Sequence, residues 1–164
     1  MKTKDLTRAV IIAAMYVVLT YIANLFGLSN GVIQVRFSEA LTVLPVFTAS
    51  AVPGLFVGCI ISNLLTGAVV PDVIFGSLAT LAGAIGTYLI GRFIKSRAAL
   101  FLSPLPPIIA NTLVVPLVLR YVYQAEGTVP FFMLTVGAGE VISCGLLGIV
   151  VAVTVEKNKN RLGL

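Results

Sequence analysis

Apolar runs broken only by glycine, proline and a few polar residues dominate this chain, and the first, from about Leu6 to Phe26, is already long enough to cross a bilayer. A hydrocarbon core takes roughly 20 helical residues. Of the 164 residues, 59% are hydrophobic and 10% are charged, with a mean hydropathy of +1.08. A soluble domain of this size needs a charged shell. A bilayer accepts apolar side chains on the outside and requires each backbone N–H and C=O to be satisfied within its own helix. The runs are therefore read as membrane helices.

Breakers between the runs divide the chain. Gly27, Ser29, Asn30 and Gly31 end the first; a second, short run starts near Ser38 and carries Pro45; and a turn at Val52-Pro53-Gly54 reverses the chain into a third. Pro71-Asp72 opens the fourth, Lys95 to Arg97 closes it, and Ser103 to Pro107 precedes the fifth. Gln124, Glu126 and Gly127 connect to the last. The expectation is an all-α membrane bundle of six helices, at about 6–27, 38–50, 53–67, 71–93, 104–124 and 128–156, forming one domain over 1–164. No internal repeat or linker divides it.

The formal net charge of +5 comes from basic residues at helix ends, with no basic groove interleaved with aromatics, so nucleic acid is not the expected partner. The bases report topology instead. Lys2, Lys4, Arg8, Arg92, Lys95, Arg97, Lys157, Lys159 and Arg161 fall on one side, and only Arg36 and Arg120 on the other. By the positive-inside rule both termini are cytoplasmic. The first run exceeds a signal-peptide core and has no clear A-x-A site, so it is expected to be retained.

Polar residues inside apolar runs carry the functional signal. Asn111 lies about thirteen residues below the outer end of the fifth helix and Glu140 about twelve below the outer start of the sixth, which puts both ~18 to 20 Å down. A carboxylate there costs ~3 kcal/mol or more on insertion scales, so it faces the protein interior and needs a partner. The alternative is a packed polar network joining helices. Arg36, Glu39, Asp72, Arg120 and Glu126 gather in the outer half.

A pocket floored by Glu140 and Asn111 and roofed by the Gly27 to Phe37 loop suits a small, flat, polar solute entering from outside. A carboxylate accepts two adjacent N–H bonds, as a guanine-type edge offers, and an amide both donates and accepts. Asn24 and Asn63 add polar contacts, and Phe37, Phe75, Tyr121 and Tyr123 are placed to give an aromatic face, although interface anchoring is the commoner role of each. Arg36 and Glu39 are read either as an exposed bridge or as lid contacts. Catalytic residues are not expected: without histidine there is no Ser-His-Asp triad, Cys-His pair or HExxH motif, and no Walker A sequence is present. Cys59 and Cys144 are read as packing residues, and neither a metal nor a cofactor is expected.

Small residues four apart form shallow strips along three helices: Ala9 and Ala13 in the first, Gly54 and Gly58 in the third, and Ala79, Gly83, Thr87 and Gly91 in the fourth. Packing inside the bundle is the expectation for the third and fourth, while the first strip is assigned to partner docking near the cytoplasm.

The stretches Val35 to Pro45, Pro53 to Cys59 and Asp72 to Thr80 resemble the queuosine-precursor transporter family, which are substrate-binding S components of energy-coupling factor (ECF) transporters. The resemblance spans nearly the whole chain. It implies six helices, capture of a 7-deazaguanine (the cyano or aminomethyl precursor of queuosine, or the queuine base), and docking through an A-x-x-x-A strip on a transmembrane coupling subunit driven by two ATPase subunits. Ala9 and Ala13 match that strip. A standalone permease, proton-coupled through Glu140, and a structural subunit without cargo are the alternatives.

Overall fold

The computed structural model describes residues 3–28 and 33–162. Those residues contain helices and no strand: α1 (Thr3–Leu25), a 3-10 helix (Phe37–Val46), α2 (Ala51–Leu65), α3 (Val70–Phe93), a short α4 (Ala98–Leu102), α5 (Leu105–Tyr121), α6 (Val129–Glu140), a π-helical stretch (Val141–Leu147) and α7 (Gly148–Leu162). Four helical segments are long and apolar enough to cross a membrane: Thr3–Leu25, Val70–Phe93, Ala98–Tyr121 and Val129–Leu162. Phe37–Val46 and Ala51–Leu65 are apolar but shorter.

The bundle is inside-out relative to a soluble protein. The face α3 buries is small and polar, with Gly76, Ser77, Thr80, Gly83 and Thr87, while Ile74, Phe75, Leu78 and Ile85 are exposed. In α1 the buried face is Ala9, Ile12, Tyr16, Thr20 and Ala23, at helical spacing, and Val10, Ile11, Val18 and Leu25 face outward. Lipid is the medium that makes such an exterior favourable.

The second run is not the α-helix expected over 38–50. It is a ten-residue 3-10 helix with Ser38 to Val43 and Pro45 all buried, so it is enclosed by the bundle rather than set in its wall. Two features favour the tighter winding: Pro45 lacks the N–H that an α-helix would direct to the Leu41 carbonyl, and Thr42 Oγ1 donates to the Glu39 carbonyl three residues back, at 2.6 Å. The reversal comes at Thr48 to Ser50, before Val52-Pro53-Gly54, which already belong to α2. Pro53 is tolerated there because first-turn N–H groups have no helical partner. The fifth helix stops at Tyr121, short of 124, and α4 precedes it in what the breakers mark as a connection. The last helix runs on to Leu162, past 156, carried by Lys159–Glu156 at 2.7 Å and Asn158 Nδ2 donating to the Thr154 carbonyl at 2.9 Å.

Close helix approach accounts for the small-residue strips. A Cβ on Gly54 would lie 2.7 Å from the Ala9 carbonyl oxygen, and one on Gly58 would lie 3.0 Å from that of Ala13. The Ala9–Ala13 strip therefore packs against α2 inside the chain, with Ala13 only partly buried. The reason is geometric: two strips of matching spacing meet backbone to backbone, and Ala9 is left buried. In α3, Gly83 is set against Pro107 and Gly91 against Val46.

Candidate functional site

The finishing ends of α1, α2 and α5 and the starting end of α3 surround a cavity of about 400 Å³. Small-ligand clefts fall at roughly 300–1,000 Å³. Its wall carries Asn24, Gln34, Arg36, Asn63, Asp72 and Tyr123, while the apolar Val115, Val118 and Leu119 of α5 form one side. Beneath it a recess of about 20 Å³ reaches into the bundle and is bounded by Glu39, Asn111 and Glu140. Gln34, Arg36, Asp72 and Val115 line both spaces, so they form the junction.

The recess floor is a hydrogen-bonded chain across five helical elements. Asn111 Nδ2 donates to Glu140 Oε1 at 3.0 Å and to Glu39 Oε2 at 3.4 Å. Tyr16 Oη donates to Glu39 Oε1, and Cys144 Sγ donates to Glu140 Oε2 at 3.0 Å. Each carboxylate oxygen thus has one protein donor and keeps acceptor capacity toward the recess. Glu39, Glu140 and Cys144 bring one potential metal-ligand atom each within 4.8 Å of one another, but those atoms are engaged in these bonds.

Local sequence explains this placement. The 3-10 helix carries Glu39 inward, to 2% exposure. Glu140 ends α6 where the backbone widens into the π stretch, and that wider turn brings Ser143 and Cys144 into the core. Ser143 Oγ accepts from the Arg36 backbone N–H at 3.2 Å, which anchors the segment leading into the 3-10 helix. Gly139 admits the Gln34 carbonyl, since a Cβ there would lie 2.0 Å from that oxygen.

At the mouth, Tyr123 Oη donates to Asp72 Oδ2 at 2.7 Å and accepts from the Val69 N–H at 3.4 Å, tying the α5–α6 connection to the start of α3. Burial and then the neighbouring Asp72 carboxylate push the Tyr123 phenol above its ordinary pKa. It therefore remains a donor throughout the neutral range.

The sequence-proposed residues divide into three groups. Glu140, Asn111 and Glu39 meet in the recess, Arg36 and Asp72 at the junction, and Asn24 and Asn63 on the wall. Arg36 and Glu39 do not form the exposed bridge considered from sequence, because Glu39 is buried on Tyr16 and Asn111. Phe37 and Tyr121 line neither space, and Tyr121 is 71% exposed. Of the expected roof, Ser29, Asn30, Gly31 and Val32 lie outside the described residues, as does Lys2 of the basic count. Sequence reasoning missed Gln34, Tyr16 and Cys144. Only Tyr16 left a trace, as a hydroxyl that shares the buried face of α1 with Thr20.

Its donors and acceptors converge on a concave space of ligand size. Among known proteins, the chain is 41% identical over 93 residues to the queuosine precursor transporter QueT of Lactococcus lactis subsp. cremoris (strain MG1363), a match covering 56% of this chain and 54% of that protein. The chain spans about half the length of that relative. No solved structure matches it. The pattern describing QueT transporters covers residues 6–157, which takes in both spaces and nearly all of every helix around them, so the chain belongs to the QueT transporter family, whose members are transporters and not enzymes.

Proposed function

We propose that this chain is the substrate-capturing S component of an ECF transporter, binding a 7-deazaguanine from outside for uptake driven by partner subunits. The observation that carries this reading is the polar recess under an open cavity, in a chain of a transporter family. The recess is wide enough for the edge of a ring and not for the ring itself. In this reading the N1–H and exocyclic amine of the base point at Glu140 and Glu39, and the carbonyl at Arg36. Val115, Val118 and Leu119 then pack on its face, and Asn24, Asn63 and Asp72 surround whatever projects from it.

The topology proposed with it has six passes in one domain over 1–164, the four long helices joined by the 3-10 helix and α2. At about 2.0 Å per residue the 3-10 helix spans ~20 Å, and at 1.5 Å per residue α2 spans ~22 Å. Both termini are cytoplasmic in this reading, supported by eight of the ten described basic residues lying at the end away from the cavity. The cavity then opens outward. No Walker A sequence is present, so ATP turnover is assigned to two ATPase subunits acting through a membrane coupling subunit. With Ala9 and Ala13 engaged by α2, the α1 face open to such a partner is the one bearing Val10, Ala14 and Val18.

The buried Glu39–Glu140 pair favours one other reading, a standalone proton-coupled permease. Copurification and uptake separate the two. Recovery of coupling and ATPase subunits with the chain, and uptake that ceases without them, supports the S component. Saturable uptake by the chain alone in proteoliposomes supports the permease.

A further inference from the structure

Arg36 and Asp72 line the same cavity without pairing. Among the described residues the ion pairs are Arg8–Asp5 and Lys159–Glu156, both at the far end of the bundle, so Arg36 and Asp72 face the shared cavity with no direct ion pair between them. Asp72 is fixed in place by the neutral Tyr123 hydroxyl, which orients one of its oxygens without cancelling its charge. Three carboxylates and one guanidinium border the two spaces.

The order of these groups also matters. Glu39, Asn111 and Glu140 border only the recess; Arg36 and Asp72 border both spaces. Around a 7-deazaguanine the carbonyl and then the 7-substituent follow the edge that carries the N1–H and exocyclic amine. A base whose donor edge enters the recess brings its carbonyl and 7-substituent to the junction bordered by Arg36 and Asp72, where the guanidinium suits the carbonyl and the carboxylate suits a cationic substituent.

Resting on the binding reading above, we propose that Asp72 is a specificity-determining residue that selects 7-deazaguanines bearing a cationic amine on the 7-position over those bearing a neutral group. An ammonium there meets an oriented carboxylate that is engaged in no direct ion pair among the described residues. A nitrile brings no positive charge and no donor, and leaves Asp72 to be desolvated without a partner. The cavity beyond Asp72, walled by Asn24, Asn63 and Thr66, also leaves room for a larger hydroxylated group on that amine.

The test is calorimetric titration of the purified full chain with 7-aminomethyl-7-deazaguanine and with 7-cyano-7-deazaguanine. The aminomethyl compound binds about tenfold tighter or more, and Asp72→Asn brings the ratio of the two affinities close to one. The wild-type ratio stands on its own where Asp72→Asn fails to fold. Equal or tighter binding of the cyano compound, or a ratio that survives Asp72→Asn, overturns the role of Asp72 while the binding reading stands. Failure of both compounds to bind overturns the binding reading and this inference with it.

Discussion

The amide of Asn111 is joined to the carboxylate of Glu140 by a 3.0 Å hydrogen bond between α5 and the end of α6, and the same amide nitrogen reaches Glu39 on the 3-10 helix at 3.4 Å. One side chain thus holds two buried acids at the foot of an open cavity. A recess of about 20 Å³ lies against both acids and the amide, below the larger cavity.

Glu140→Gln is expected to weaken 7-deazaguanine binding by more than tenfold. Asn111 and Cys144 each donate to one Glu140 oxygen, and a glutamine presents a donor to one of them and to the ligand edge. An unpaired buried polar group costs ~1 to 3 kcal/mol. Calorimetry checks this, with the unfolding temperature recorded alongside to separate a folding defect. Unchanged affinity removes Glu140 from the site.

Asn111→Leu keeps the volume and removes both N–H donors. Glu39 and Glu140 then face each other without a bridge, and the folded chain loses about 2 to 6 kcal/mol, each of the two stranded acceptors contributing ~1 to 3 kcal/mol. Thermal unfolding in detergent measures the loss. Wild-type stability would show that the Asn111 bridge carries no load.

Gly54→Ala is expected to destabilise the isolated chain, because the added methyl would meet the Ala9 carbonyl at 2.7 Å and backbone cannot rotate away. Overpacking of this kind costs ~1 to 3 kcal/mol. Ala9→Trp should act the same way, through the fold of the chain itself. A Gly54→Ala chain that unfolds like wild type but no longer retains partner subunits would assign the Ala9–Ala13 strip to docking.

Much of the bundle was legible because lipid writes a strong signal: long apolar runs, breakers between them and bases at one end. Asn111 and Glu140 stood out as polar residues at equal depth. Glu39 was harder to place. Beside Arg36 and ahead of Pro45 it reads as part of an outer charge cluster, and only the enclosure of the 3-10 helix shows it to be core. The π stretch is equally silent in sequence, since Val141–Leu147 has the composition of any membrane helix. That hid the approach of Cys144 to Glu140. Gln34 enters through a backbone contact with Gly139, which no side-chain pattern encodes. The Ala9–Ala13 strip shows the opposite difficulty: small-residue spacing reveals a close contact without saying which helix makes it.

Mass spectrometry of the small molecules that stay with the mildly purified chain tests the central claim most directly, since it presupposes no cargo. The account predicts a 7-deazaguanine bound to wild type and lost from Glu140→Gln. Recovery of an unrelated compound, or a 7-deazaguanine retained equally by both proteins, would contradict it.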